Sequence, residues 1–240
     1  MTTLSEFPVT LPEARCAPSR RHARPPFRVT IPIYEGVDLL DVAVPVELFT
    51  WMAESWEERV ATVTLAAESL APIKTRDGLV LTPQHSVAEY AAMHRQSQLL
   101  WVPGGNPPVL PGMMKGSPYL DFLKEQAICA EYVSSVCEGA LLLAAAGLLD
   151  GYEVTTHWRF VPCLQHFPEI KVSEGSPRYV IDRDRITGGG ISSGLDEALA
   201  IIALVAGDEI AKDVQMTTQY FPCPPFRQDI TPATDCPIRF

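Results

Sequence analysis

The sequence holds no apolar run long enough to cross a bilayer. Its longest unbroken stretches, such as residues 140–146, fall far short of the ~20 residues a spanning helix needs. Basic residues are scarce: 19 Lys and Arg stand against 29 Asp and Glu, for a net charge of −10. That balance repels a phosphate backbone, and no basic cluster with interleaved aromatics offsets it, so nucleic acid is not expected as a partner. Paired CxxC motifs are missing. The six cysteines, Cys16, Cys129, Cys137, Cys163, Cys223 and Cys236, give no zinc-like spacing, and neither metal nor cofactor is expected. No apolar h-region follows the start, where Glu6 and Glu13 stand instead. The expectation is therefore a cytoplasmic protein with reduced thiols and no membrane attachment. No internal repeat is visible.

What is present is an alternation of strands and helices. Residues 1–26 form a proline- and arginine-rich extension that lacks the apolar content for a core. From residue 27 to 240 the chain reads as one domain. "FRVTIPIY" is a first strand, with Pro32 implying a bulge or an edge position. "DLLDVAVPVELFTWMAES" is a loop entering a helix, and "VATVTLAAE" is a second strand. "PIKTRDGLVLTPQ" gives two short runs around Asp77-Gly78, a hairpin signal. "QLLWVPGG" is a buried strand ending in a glycine turn. "SPYLDFLKEQAICAE" is a helix capped by Ser117 with Pro118 at its first position. "RYVIDRDRITGGG" is a hairpin, and "SSGLDEALAIIALVAG" and "DEIAKDVQMTTQYF" are the final helices before a proline-rich, irregular tail. Several strands are apolar on both faces. The pattern predicts an α/β fold, a mostly parallel sheet with helices on both sides. In such sheets the site lies at the carboxyl ends of the strands.

One junction carries chemistry. In "YVSSVCEGALLLAAAGLLDG" a β-branched run meets Cys137, passes Glu138-Gly139 and turns at once into a helix. A sharp strand-to-helix turn lifts one side chain above the sheet edge, as in a nucleophile elbow. Gly139 would let strand and helix approach closely. A helix N-terminus would stabilise a thiolate and lower the Cys137 pKa. The competing reading is a small packed thiol. Glu138, a carboxylate ahead of an otherwise apolar helix, is not explained by packing, although it also suits the first turn.

These stretches resemble the ThiJ/PfpI superfamily, the class-I-glutamine-amidotransferase-like proteins. The resemblance rests on "VSSVCEGALLLAAAGLLDG…VTTHW", "DLLDVAVPVELF", "VPGGN", "ITGGGISSGLDEAL" and "QYFPCPPF". Together they cover residues ~27 to ~226, and their combination is specific for the superfamily. It implies a flavodoxin-like three-layer sandwich and a homodimer. Within it the motifs are most similar to the isonitrile hydratase branch, whose members add water to an isonitrile and release an N-substituted formamide without a metal. The small-molecule substrate would then meet Cys137 as nucleophile. Asp41, in the loop after the first strand, takes the general acid/base role, against the plainer reading of a helix cap. Asp38 competes with it from three residues away. Gly104 and Gly105 would present backbone N–H groups near the sulfur, or simply make a turn needing positive φ. His157 is either a partner of the thiol or a hydrogen-bonded neighbour, and Trp158 is packing or pocket wall. Gly188, Gly189 and Gly190 read as close backbone packing, with Ile191 lining the pocket.

The hydratases carry threonine where this chain has Glu138. A charged carboxylate there would raise the thiol pKa, and a protonated one would be a second proton donor. Two alternatives stay open: glyoxalase- or deglycase-type chemistry on reactive carbonyls, and a non-enzymatic thiol redox or ligand sensor.

Overall fold

The computed structural model describes residues 25–239. All but the last two residues of the N-terminal extension lie outside the described residues. In chain order the strands are β1 (Phe27–Pro32), β2 (Ala61–Ala67), β3 (Ile73–Lys74), β4 (Val80–Leu81), β5 (His85–Ser86), β6 (Leu99–Val102), β7 (Tyr132–Ser135), β8 (Glu153–Val154), β9 (Lys171–Val172), β10 (Tyr179–Asp182) and β11 (Arg185–Gly188). The helices are α1 (Leu39–Ser55), α2 (Val87–Ala92), α3 (Leu110–Met114), α4 (Pro118–Ala127), α5 (Gly139–Ala145), α6 (Ser193–Ala206) and α7 (Asp208–Thr217), with a 3-10 segment at Val161–His166.

Seven strands form the main sheet in the order β10-β11-β7-β6-β1-β2-β5. All its pairings are parallel except β10 with β11. The central strand β6 is "LLWV", buried at every position, because helices cover both faces of a parallel sheet. On one side α1 and α6 pack on each other; α5 and α4 lie among the other contacts of β6. The order reverses between β1 and β6, and at such a switch point the loops leaving neighbouring strands part to open a crevice. The residues after β1, β6 and β7 meet there.

Several expectations hold in detail. Ser117 caps α4 by accepting from Leu120 N at 3.3 Å, with Pro118 following. The Asp77-Gly78 turn joins antiparallel β3 and β4, and β10–β11 is a hairpin that turns at Arg183 with φ 58°. Other expectations change. Pro32 does not mark an edge or bulge. β1 is central, and Pro32 is its last residue, beyond the Val29–Thr30 pairing with β6, so its missing N–H costs no bond there. "EVTTHW" contributes only the two-residue β8, paired with β9 outside the main sheet.

The thiols also depart from expectation. Cys163 and Cys236 form a disulfide across 73 residues of sequence, with Cα atoms 4.8 Å apart. Cys129 is disulfide-bonded as well, so the expectation of uniformly reduced thiols is corrected. The proline-rich tail folds back over the chain, which brings two distant cysteines together. Ala233 N donates to Trp158 O at 3.0 Å, and Ile238 is buried in the core. Free thiols among the described residues are the buried Cys137 and the exposed Cys223. No described helix is long and apolar enough to cross a membrane.

Candidate active site

Cys137 stands at the end of β7 with φ 56°, in the left-handed region that a non-glycine residue enters only at a cost of about 1–2 kcal/mol. Its neighbours fix the strained turn. Cys137 N donates to Gly189 O at 2.8 Å, Thr156 Oγ1 donates to Cys137 O at 2.6 Å, and Val136 N donates to Val102 O at 3.1 Å. Gly139 is required by contact: a Cβ there would overlap the carbonyl of Val102, whose backbone cannot yield. This is the close strand-to-helix approach expected from the sequence.

Asp41 reaches the same place from α1. It lies in the first turn of the helix, whose N-cap position belongs to Asp38, and Asp41 caps nothing. Its Oδ2 accepts from Gly104 N at 2.9 Å. Pro45, four residues on, has no N–H to bond the Asp41 carbonyl. The Trp101 indole fills that gap, donating to Asp41 O at 3.0 Å. A proline inside a helical pattern and a tryptophan on a buried strand thus combine to hold Asp41. Asp38, itself buried, pairs with Arg76 at 3.2 Å. Arg76 sits on the β3–β4 hairpin, and sequence reasoning did not single it out.

Glu138 is 6% exposed and lies among these groups. The Cys137 side chain and the Gly105 amide lie beside its carboxylate and favour its charged form. Of the two glycines expected to face the sulfur, Gly104 donates its N–H to Asp41, and the Gly105 amide lies beside Glu138. Positive φ is not what either needs. A Cβ on Gly104 would stand 2.7 Å from Cys137 Cβ and 2.5 Å from Glu138 Oε2, and one on Gly105 would stand 2.7 Å from Gly36 O.

The electrostatics follow from burial. Desolvation pushes the Cys137 thiol well above its ordinary value, with Asp41 and Glu138 adding repulsion. The expected depression of its pKa is overturned, because the sulfur lies inside a dry acidic shell. Desolvation, then Asp38 and Glu138, push Asp41 up as well. Burial first, and Asp38 to a lesser degree, push Glu138 up to about 7. Asp41 Oδ1 is buried without a partner, which adds to the cost of ionising this group. Burial thus opposes ionisation of the thiol and of both carboxyl groups beside it.

Beneath it lies another buried acid that sequence reasoning missed. Glu197 of α6 is fully buried, accepts from Ser134 Oγ at 2.6 Å and is pushed well up by burial. A Cβ on Gly188 would overlap its carboxyl group. The available signal was a pair of serines, Ser134 and Ser135, inside an otherwise apolar strand.

The described residues place the remaining candidates along one wall. Ile191 N donates to Cys137 Sγ at 3.5 Å, and Ile191 itself has φ 32°. Gly190 is tight against the His157 ring. His157, Trp158, Gly190 and Ile191 line a cleft of about 270 Å³. Burial, then Arg159 and Arg76, lower the His157 pKa, so its imidazole is neutral near pH 7. Its Nδ1 accepts from Arg159 N at 3.2 Å. The ring belongs to the cleft and makes no hydrogen bond to the sulfur. Among the described residues no group of three or more His, Cys, Asp or Glu is placed to hold a metal ion.

The chain is 34% identical over 194 residues to an isonitrile hydratase of Pseudomonas putida, covering 81% of this chain and 78% of that one. The crystal structure of a ThiJ/PfpI family protein from Pseudomonas syringae superposes with a TM-score of 0.74 at 32% identity, covering 84% of this chain and 78% of that one. A shorter stretch of 94 residues is 35% identical to the HTH-type transcriptional regulator GbdR of Pseudomonas aeruginosa, covering 39% of this chain and 25% of the regulator. Residues 27–204 match the DJ-1/PfpI family, and the chain belongs to it.

Proposed function

We propose that the protein is a cysteine-dependent hydratase that adds water to an isonitrile and releases an N-substituted formamide. The observation that carries the reading is the grouping of one strained thiol with two buried carboxyl groups, Asp41 and Glu138, both pushed up by desolvation, at the switch point of the sheet. Similarity to the hydratase of Pseudomonas putida supports it.

The chemistry needs these parts. An isonitrile carbon accepts a nucleophile but must receive a proton as the bond forms. Sulfur adds to the carbon while the thiol proton, carried by a neighbouring carboxyl group, passes to that same carbon. The product is a thioimidate, R–N=CH–S–Cys137. Asp41 or Glu138 gives its proton to the thioimidate nitrogen and, so ionised, takes one from water as the hydroxyl adds to the carbon. Collapse expels the thiol and leaves R–NH–CHO. A raised thiol pKa is no obstacle, because the proton that leaves sulfur is the one the carbon needs. In this scheme Glu138 replaces the hydroxyl found in the hydratases with a second acid.

The test is a spectrophotometric assay with an aryl isonitrile, comparing wild type with Cys137→Ala and Glu138→Thr. Turnover by wild type that Cys137→Ala lacks supports the reading. Gain of turnover only in Glu138→Thr would mean a scaffold turned to another substrate. Silence in all three overturns the proposal and returns reactive carbonyls to first place.

A further inference from the structure

The cleft beside Cys137 carries polar groups that the hydration scheme does not use. Ser176 and Ser193 both line it, and the side-chain oxygen of each is buried without a partner among the described residues. Ser193 is 2% exposed. A buried hydroxyl without a partner costs on the order of 1–3 kcal/mol, so two in one cleft call for a ligand that accepts hydrogen bonds.

Positive groups border the cleft, offset in part by Asp196 in the first turn of α6. Ser193 opens α6, a 14-residue helix whose positive end faces the cleft. The amides of its first turn are engaged, since Ser193 N and Gly194 N donate to Gly190 O and Ile191 O. Side chains must therefore meet the ligand. Arg178 also lines the cleft, with Nε bound to Asp196 and Nη2 donating to Ser192 O. Tyr220, whose hydroxyl donates to Asp196, stands beside the same guanidinium, and one edge of Arg178 borders the cleft. Two hydroxyl donors, one guanidinium edge and a helix start form a site for a carboxylate. The other walls, Trp158, Pro177 and Ile230, are apolar.

We infer that this cleft binds the carboxylate of a small amphipathic acid, with Ser193 and Arg178 donating to it. The volume of about 270 Å³ is just under the usual ~300–1,000 Å³ of small-molecule sites, which fits a compact ligand. The Gly190–Ile191 turn is shared with the reacting centre: Ile191 lines the cleft while its N–H touches Cys137 Sγ. Resting on the hydratase reading in this one respect, the inference makes the substrate an isonitrile that bears a carboxylate.

Calorimetric titration of the Cys137→Ala protein with isocaproate and with isocaproamide separates the two readings. The acid and amide have the same shape and differ in charge. Isocaproate should bind at least ~10-fold more tightly, and Ser193→Ala and Arg178→Gln should each reduce that ratio ~10-fold, the usual loss for a hydrogen bond to a charged group. Equal affinity for acid and amide, a ratio untouched by both substitutions, or no binding of either compound would each overturn the inference. The outcomes remain distinguishable from the hydratase test. Turnover of neutral isonitriles without acid preference removes the carboxylate site alone. Acid preference without isonitrile turnover removes the hydratase reading alone.

Discussion

Burial of Glu138 predicts a pH dependence of stability with a definite sign. Its carboxyl group ordinarily titrates at 4.5 and is pushed up to about 7 in the folded protein. Below 4.5 both folded and unfolded chains carry the proton, and the group is neutral in its effect. Between 4.5 and 7 the unfolded chain loses the proton while the folded one keeps it, so stability falls as pH rises. Above 7 both have ionised and the loss is complete. At 1.36 kcal/mol per pH unit, this interval is worth about 3 kcal/mol. Glu138→Gln keeps the size and an acceptor oxygen but cannot titrate. Denaturant unfolding of both proteins from pH 4.5 to 8 measures the difference. The variant should gain about 3 kcal/mol on the wild type across that range, with the change centred between pH 5 and 7. Glu197 is raised in both proteins alike, whereas Asp41, pushed up in part by Glu138, adds to the difference with the same sign. Parallel stability curves would refute the argument that Glu138 holds its proton inside the fold.

Further expectations follow from the same contacts. In a Cys223→Ser background iodoacetamide should alkylate Cys137 slowly at pH 7, because burial and the two acids push the thiol pKa up; rapid stoichiometric labelling of Cys137 would contradict this. Trp101→Phe should cost about 1–3 kcal/mol by stranding the Asp41 carbonyl, and the loss should shrink in a Pro45→Ala background, where a helical amide returns; equal losses in both backgrounds count against the pairing. Gly139→Ala should destabilise by about 1–3 kcal/mol or more, since the methyl meets the Val102 carbonyl; an unchanged unfolding midpoint refutes the contact. Cys236→Ser should lower stability by about 2–4 kcal/mol under oxidising conditions and by little with a reductant present; insensitivity to the reductant would exclude the bridge.

Much of the fold was legible because it is written in local patterns. Apolar runs on both faces specify parallel strands, Ser117-Pro118 specifies a helix start, and Asp77-Gly78 specifies a turn. Two short helices were not read. α2 carried a signal in Ser86 and Glu89, which form a capping box. α3, with Pro111 and Gly112 among five residues, offered no helical propensity to detect. The elbow was legible for a related reason: glycine next to a strand end and a cysteine is a local arrangement, and the Val102 contact explains why glycine is needed.

What was not legible depends on distance in three dimensions. The helix-start argument for Cys137 uses only its neighbours in sequence and predicts a depressed pKa. Its actual surroundings include Asp41 from 96 residues earlier and a complete loss of water, and these reverse the sign. The same reversal would reconcile Glu138 with the nucleophilic thiol proposed above. Beside a thiolate in water a carboxylate would be a hindrance. In a dry shell where burial opposes ionisation of the thiol, Asp41 and Glu138, it would be another place to keep the proton that the proposed reaction requires. Glu197 gives the clearest instance of the limit. In "LDEAL" it is indistinguishable from a solvated helix acid, and only the packing of α6 against β7 places it on Ser134. Which acids of this chain face water and which keep their protons is decided by the packing of α1, α5 and α6 on the sheet. The chemistry of Cys137 therefore belongs to the fold as much as to the motif that contains it.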